Sequence, residues 1–299
     1  MAVDSAEALF KKHRDRLFGL AYRMTGSVSE AEDLVQETFV KWLALDKTTI
    51  DSAEAWLIRV TTNLALDTLK SARVKRQAYI GPWLPEPLAP DPHHPERELV
   101  LDESVTMALM VVLERLTPAE RAVFILHDLF RFSFEEVASL LGKTNASCRQ
   151  LASRARKKMG PAPSSAKVSK MDFLRVVPAF WDAIKLGDFT ALSQILKDDV
   201  VLQTDGGGKA VAAKKPIYGV RAVSKFLVNV LRPGFAMAEA GGFTMDQIWF
   251  NGAPGWVIFE KGLPISAFSF HLVDGRIQGI HVLRNPDKLK CLPLGKHPS

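Results

Sequence analysis

Between positions 82 and 95 the chain reads PWLPEPLAPDPHHP, six prolines in fourteen residues. Each proline removes a backbone donor and fixes φ, so neither a helix nor a central strand survives there. The run is an extended linker of polyproline character, and the chain on either side of it folds separately. A second linker, GPAPSSAKVSK, follows at 160–170 and is built of small residues. The 299 residues therefore divide into folded parts at 1–76, 105–160 and 171–292. Linkers at 77–104 and 161–170 join them, and 293–299 is a tail.

Apolar residues make up 47% of the chain and charged residues 24%, the balance of a globular protein. Cys148 and Cys291 lie far apart without metal-ligand spacing, which fits a reducing cytoplasm and implies neither metal nor cofactor. His93-His94 has no partner spacing for a metal either. The start, MAVDSAEALF, has no basic segment followed by an apolar one, so it is no signal peptide. No apolar run is long enough to cross a bilayer, so no membrane partner is expected.

The first two parts read as all-α. Residues 4–24 form a helix with Phe10, Leu17, Leu20, Ala21 and Met24 inward, ended by Gly26. Ser29 and Glu32 make a capping box for the next helix. Its inner face is Ala31, Leu34, Val35, Phe39, Trp42 and Leu43, leaving Asp33, Gln36, Glu37 and Lys41 outside. After a polar loop at 46–52, a long helix runs from about Ala53 to Arg76, with Trp56, Leu57, Val60 and Leu64 inward. Its end carries four basic residues within 70–76. That end is either a grip for nucleic acid or an exposed terminus whose cations suit the dipole. Beyond the proline linker a helix resumes near Leu99, with Val105, Leu109, Val112, Leu113 and Leu116 on one face. Thr117-Pro118-Ala119-Glu120 caps the helix after it.

The stretch SFEEVASLLGKTNASCRQLASRARKKM, 133–159, carries the clearest chemistry. Phe134, Val137, Ala138 and Leu141 make a helical face, Ser133 with Glu136 a capping box, and Gly142 the stop. A second helix from Thr144 buries Cys148, Leu151, Ala152, Ala155 and Met159. Two short helices around a glycine turn are a helix-turn-helix. The outward face of the second is Asn145, Ser147, Arg149, Gln150, Ser153, Arg154, Arg156 and Lys157. Gln and Arg read base edges bidentately, and Ser, Arg and Lys hold phosphates. The alternative is a solvated basic face, but 149–158 holds five basic side chains and no acid, which favours DNA.

Net charge adds a constraint. Residues 1–160 hold 22 basic and 22 acidic side chains, whereas 161–299 hold 17 and 11 and carry the whole +6. Local patches at 70–76 and 149–158 therefore attract phosphate, not the mean charge. Such a chain binds free DNA weakly, and a partner supplies affinity.

The third part changes character. Helices are expected at 173–186 and 189–196, a strand at 200–204 and a helix at 220–231. Strands follow at 244–250, 256–260, 265–273 and 276–283, punctuated by the hairpin signals NGAPG, KGLP and DG. Helices followed by an antiparallel sheet make an α+β domain. Trp83, Leu84 and Leu88 are apolar in a linker that should be solvated. They either pack locally or act as a docking peptide.

With these residues laid out, the first 160 resemble a bacterial sigma factor of the extracytoplasmic-function class. The matching words are AEDLVQETF (31–39), AWLIRVTTNLALDTLKS (55–71) and LTPAERAVFILHDLFRFSFEEVASLLGKTNASCRQLASRAR (116–156). The C-terminal part resembles a SnoaL-like cone. WLPEP (83–87), DGGGK (205–209) and NPDKL (285–289) look like the words of the subgroup that carries this extension. The resemblance implies a cytoplasmic protein whose partners are core RNA polymerase and promoter DNA. Asp33, Gln36 and Glu37 would dock on the polymerase. The loop with Asp46, Lys47 and Thr48, and the helix face with Asn63, Lys70, Arg73 and Arg76, would melt and read the −10 element. Thr144, Asn145, Ser147, Arg149, Gln150, Ser153, Arg154, Arg156 and Lys157 would read the −35 element. The 28 residues 77–104 span at most about 90 Å, ample for two separated DNA sites. Trp83, Leu84, Pro85, Glu86 and Pro87 would contact Asp205, Gly206, Gly207, Gly208 and Lys209. Asn285, Pro286, Asp287, Lys288 and Leu289 would join them in a regulatory contact standing in for a separate anti-sigma protein.

Three functions follow for the third part: a fused regulator, a sensor whose cone binds an unknown small molecule, or a cone enzyme tethered to a DNA-binding module. Asp205, His271 and His281 are the acid–base candidates, set among Trp181, Trp249, Trp256, Phe268 and Phe270. No paired constellation emerges from them, so no catalytic residue is assigned.

Overall fold

The computed structural model describes residues 6–46, 50–90, 106–160, 170–239 and 242–295, with the backbone alone at 6, 73–77, 170 and 236–239. Lys47, Thr48, His93, His94 and the predicted helix start at Leu99 lie outside these residues. Among the described residues no helix is long and apolar enough to cross a membrane. They fall into two compact units. The first holds the helices up to Met159 with most of the helix Met107–Leu113, and the second holds Tyr79–Ala89 together with the chain from Lys170 onward.

In the first unit α1 (Ala6–Thr25), α2 (Val28–Leu43) and α3 (Ala53–Gln77) pack together. Gly26 ends α1 at φ +73. The cap of α2 is Ser27, accepting from the Glu30 backbone N–H at 3.2 Å, two residues before the expected Ser29. Ser29 reads as a cap because Glu32 follows it. The left-handed Gly26 decides otherwise, since the chain is ready to turn helical immediately after it.

Two inner faces also differ from expectation. Leu43 is 62% exposed, one residue beyond the buried Trp42 and at the end of the α2 stripe. In α3 the buried line is Leu57, Ile58, Thr61, Thr62, Ala65 and Leu69, while Trp56, Val60 and Leu64 are only partly covered. The threonines enter the core because each hydroxyl finds a partner. Thr62 donates to the Ile58 carbonyl at 2.7 Å, and Thr61 pairs with Thr38 of α2 at 3.0 Å.

The same unit continues with α4 (Met107–Leu113), α5 (Pro118–Phe124), a π-helical turn (Ile125–Leu129), α6 (Phe134–Leu141) and α7 (Asn145–Met159). The predicted box at Ser133–Glu136 forms, and the predicted Thr117 cap forms as a capping box with Glu120, whereas the one expected at Ser29–Glu32 does not. Gly142 closes α6 at φ +61 with open space around it. Helices α5 and α6 lie against α3. Arg121 of α5 is 2% exposed, donates Nε to the Arg23 carbonyl at 2.9 Å and pairs with Glu114 at 2.5 Å. At the exposed edge Arg59 of α3 donates to the Ser139 carbonyl of α6 at 3.2 Å.

In the second unit α8 (Lys170–Leu186), α9 (Phe189–Ile195) and α10 (Val220–Glu239) cover one face of a six-stranded sheet. The strands are β1 (Leu196–Asp205), β2 (Ile217–Tyr218), β3 (Thr244–Phe250), β4 (Ala253–Glu260), β5 (Leu263–Val273) and β6 (Arg276–Leu283). Their order is β2-β1-β6-β5-β4-β3. The sheet is mixed: β1 runs parallel to β6, against the antiparallel expectation, and every other pair is antiparallel. A parallel pair needs a long crossover, and the segment holding α10 and the β3–β5 meander supplies it. Helix α10 passes its expected end because the carbonyl that Pro233 frees belongs to Asn229, which is exposed to water.

The strand alternation sorts the sheet's side chains. Leu202, Phe268, Phe270, Ile280 and Val282 meet the helices. In register beside them, Gln203, His281 and Ser269 point the other way, as do Gly279 and His271. Asp205, two residues from Gln203, shares that outer face. The acid–base candidates are thus separated from the aromatic interior in which they were expected. Trp249 is 47% exposed at the sheet edge and is not part of it either.

Arg121 gives a direct test of the helical unit. Removing one partner of a buried pair costs about 3 kcal/mol, whereas an exposed contact is worth less than ~1 kcal/mol. Arg121→Ala should lower the opening free energy of the slow amides in α1 and α5 by about the larger amount, read by hydrogen exchange on the full chain. Arg59→Ala should hardly change it.

Candidate functional site

Helix α7 presents the DNA-reading candidates. Thr144 caps it, accepting from the Ser147 N–H at 3.2 Å. Cys148, Ala152, Ala155 and Met159 are buried, which turns Arg149, Gln150, Ser153, Arg154, Arg156 and Lys157 to solvent. Ser147 and Asn145 are half-buried. Arg149 is held in place: its Nε donates to Asn145 at 2.9 Å and its guanidinium lies 5.1 Å from the Phe134 ring centre. Asn145 in turn donates to Glu135. Hydrogen bonds from Glu135's own backbone and from Asn145 keep that carboxyl below its ordinary range. Arg156 is bound to Asp128 at 2.7 Å. Arg154 and Lys157 have no ion pair among the described residues.

The first three helices present two more groups. Asp33, Gln36 and Glu37 are exposed along α2, and Val40 and Leu43 continue that stripe at 63% and 62% exposure. Asn63 and Lys70 are exposed seven residues apart on one face of α3, with Lys70 paired to Asp67 at 2.8 Å. Asp46 is exposed at the start of its loop. Arg73 and Arg76 lie on α3, and their side chains are outside the described set.

The three short words converge within the second unit, around one carboxylate. Asp205 is fully buried and accepts four hydrogen bonds. Tyr79 Oη and the Gly207 N–H reach Oδ1 at 2.6 and 3.0 Å. The Leu84 N–H and Lys288 Nζ reach Oδ2 at 2.9 and 2.8 Å. Lys288, from the short helix α11 (Pro286–Leu289), also donates to the Leu84 carbonyl at 2.5 Å and sits 3.9 Å above the Trp83 ring. Asn285 caps α11 and donates Nδ2 to Tyr79 Oη at 2.9 Å. Burial, and then the bond to Asp205, push the Tyr79 phenol well above its ordinary pKa, so it stays a donor.

The linker's middle is held as firmly. The Leu84 side chain is fully buried and Leu88 is 1% exposed, while Pro85 and Pro87 are buried and Trp83 and Glu86 half-buried. At the far end Leu88 exchanges two hydrogen bonds with Asn251: its N–H donates to Oδ1 at 3.1 Å, and its carbonyl accepts from the Asn251 N–H at 2.7 Å.

The glycines of DGGGK are there for space. A Cβ on Gly206 would stand 2.2 Å from the Ala210 carbonyl oxygen, and one on Gly207 2.3 Å from Asn285 Nδ2. One on Gly208 would stand 2.9 Å from Ile80. Lys209 and Asp287, which the charge pattern offers to the linker, instead pair with each other at an exposed rim. Leu289 is buried at the end of α11, and Pro286 is exposed at its start. Tyr79 and Asn251 carry no sequence signal: one precedes the motif, and the other reads only as the turn in NGAPG.

This geometry matches a known family. The family models Sigma-70 region 2 and Sigma-70, region 4 match residues 9–74 and 106–159, the two helical parts of the first unit. The chain belongs to the ECF RNA polymerase sigma factors, as the words of its helices suggest. It is 37% identical to the ECF RNA polymerase sigma factor SigJ of Mycobacterium tuberculosis, over 98% of this chain and 95% of that one. It is equally similar, at 37%, to the probable ECF RNA polymerase sigma factor SigI of the same species, over 97% and 96%. The crystal structure of M. tuberculosis SigJ superposes with a TM-score of 0.75 at 34% identity, covering 96% of this chain and 99% of that one. The likeness therefore runs through the linker and the α+β cone.

The linker contact depends on a buried charge that one substitution strands. Lys288→Ala leaves Asp205 buried without its cation, at a cost of about 3 kcal/mol. The open fraction of 79–89 should rise about 100-fold, seen as faster hydrogen exchange at the Leu84 and Leu88 amides. Gly207→Ala should do the same by steric overlap, while Lys209→Ala at the exposed rim should leave those amides protected.

Proposed function

We propose that this sigma factor directs core RNA polymerase, in the cytoplasm, to promoters with separate −10 and −35 elements. In this reading residues 1–76 form the −10 and polymerase-docking domain, with Asp33, Gln36 and Glu37 on the polymerase. Asp46, Lys47, Thr48, Asn63, Lys70, Arg73 and Arg76 act on the melted −10 strand, where a polar loop holds single-stranded bases while cations neutralise the backbone. Residues 105–160 read duplex −35 DNA through α7 in the major groove. The observation that carries the reading is the exposed face of α7. Arg149 is pre-ordered by Asn145 and Phe134, and Gln150, Arg154 and Lys157 are exposed beside it.

The C-terminal domain, 171–292, acts in this proposal as a built-in regulator that grips WLPEP between DGGGK and NPDKL. No bond-making chemistry is assigned to it. Asp205 is saturated by four donors, and His271 and His281 lie on the sheet face away from the aromatic interior. Two elements about 25 base pairs apart lie ~85 Å apart along the duplex at 3.4 Å per step. Helix α6 resting on α3 therefore has to come away before both elements are engaged, and the grip on the linker controls that freedom. The cone is also the part suited to a small-molecule ligand, a reading supported by the buried indole N–H groups of Trp181 and Trp256, which have no hydrogen-bond partner among the described residues.

Run-off transcription with core polymerase tests the assignment. Gln150→Ala and Arg154→Ala should each weaken use of a −35 element by about 1–3 kcal/mol where the residue makes a bidentate base contact. Arg156→Ala, whose guanidinium is engaged by Asp128, should have a smaller effect. Unchanged promoter selectivity in the first two would refute this reading face. Lys288→Ala should change total transcription several-fold, and wild-type output would reduce the linker to a spacer.

The neutral charge of residues 1–160 predicts a further result. A gel shift at physiological salt should show weak, non-selective binding of the isolated protein and selective binding once core polymerase is added.

A further inference from the structure

One stretch of the second unit is basic without interruption. Residues 206–238 hold six cations, Lys209, Lys214, Lys215, Arg221, Lys225 and Arg232, and no acid. That excess equals the net charge of the whole chain, +6. Lys209 is neutralised by Asp287. Lys214, Lys215, Arg221 and Lys225 are exposed and form no ion pair among the described residues. Elsewhere in the same unit Arg175, Lys197 and Lys290 each have a carboxylate partner. Asp198 and Asp199 lie close to Gly219, but Asp199 is engaged by Gln278 at 2.7 Å, and neither pairs with these cations.

The four cations bracket β2, the edge strand of the sheet. Lys214 and Lys215 precede it, in a loop that Ala213 ties to Thr204 through hydrogen bonds of 2.7 and 3.3 Å. Arg221 and Lys225 follow it in the first turns of α10, just after the Gly219 N–H has donated to the Val200 carbonyl at 2.8 Å. Charge is thus presented from anchored backbone on both sides of the strand. The six steps from Lys215 to Arg221 span at most about 20 Å at ~3.3 Å each, the length of about six base-pair steps.

Helix stability does not call for these residues. A cation in the first turn opposes the macrodipole, and Arg221 and Lys225 repel each other four residues apart. A surface that serves only solubility mixes its signs. Unneutralised cations along one edge fit a polyanion. The apolar side of α10, with Val223, Leu227 and Val228, is buried in the core, so no face remains to enter a lipid surface.

We propose that the β2 edge of the C-terminal domain, through Lys214, Lys215, Arg221 and Lys225, binds the phosphate backbone of duplex DNA without reading its sequence. This rests on the promoter-directing reading given above and adds a DNA contact to the domain that grips the linker. It supplies the non-selective part of the binding expected of the isolated protein, which the neutral residues 1–160 do not.

The test is fluorescence anisotropy of the full chain with a labelled duplex that carries no promoter element, titrated between about 50 and 200 mM salt. Each phosphate contact contributes ~0.9 to the slope of log affinity against log salt. Replacing Lys214, Lys215, Arg221 and Lys225 together by Gln should therefore flatten that slope by about 3 to 4. Arg175→Gln with Lys261→Gln, exposed cations outside the stretch, should leave it unchanged. An unchanged slope in the fourfold variant, or an equal loss per charge in the control, would overturn the proposal. So would a fourfold variant that loses binding to phosphatidylglycerol vesicles and keeps the DNA slope, since that assigns the edge to a lipid surface. Failure of the α7 assignment is distinguishable: it appears as unchanged promoter selectivity in run-off transcription and leaves this slope as it is.

Discussion

Asp205 and Lys288 are a carboxylate and an ammonium taken out of water together, and the attachment of the linker follows from that. Neither ion can stay buried without the other, and their mutual attraction still leaves hydrogen-bonding capacity to satisfy. The linker backbone takes it up: the Leu84 N–H goes to the carboxylate and the Leu84 carbonyl to the ammonium. One residue of the linker thus inserts both of its peptide groups into an ion pair. Trp83 and Tyr79 then cover the cation with their ring faces. The contact is consequently specific for the path of a backbone as well as for side chains, which suits a segment that prolines already hold extended.

Much of the helical half was legible in the sequence because its signals are local. Thr117, Ser133 and Gly142 each act within four residues, and all three do in the structure what their spacing implies. The misreadings arise where a distant partner decides. Thr61 and Thr62 are polar by type and buried in fact, since a hydroxyl that finds a carbonyl or another hydroxyl no longer needs water. Arg121 sits in an apolar helix turn and would be sent to the surface by its charge, yet Glu114 and the Arg23 carbonyl hold it inside. In the cone, the parallel alignment of β1 with β6 joins residues some eighty positions apart, which no local pattern reports. That alignment also settles which face Asp205 takes. The motif words identified the residues of the linker contact; their charges alone gave Lys209 and Asp287 too large a part and missed Tyr79 and Asn251.

The α+β domain therefore has two chemically different sides. Its inner side is apolar and aromatic, closed by α8, α9 and α10. Its outer side carries the histidines, Ser269 and Asp205, beside buried Val257, Ala267 and Leu283 on the same face. A single sheet separates them, and strand alternation alone keeps them apart. The helical unit shows a comparable division on α7, where alanines and Cys148 face inward and leave a continuous basic and amide surface to the outside.

The proline spacing of the linker also fixes its register. Leu84 and Leu88 are the residues whose N–H groups meet Asp205 and Asn251. Move the segment one position forward, and Pro85 faces the carboxylate with no hydrogen to give. Move it one back, and Pro87 meets Asn251 with the same deficiency. A shift of two in either direction brings up Pro90 or Pro82. The segment thus works like a key whose blanks matter as much as its teeth: every neighbouring alignment loses a donor, and only one seats fully.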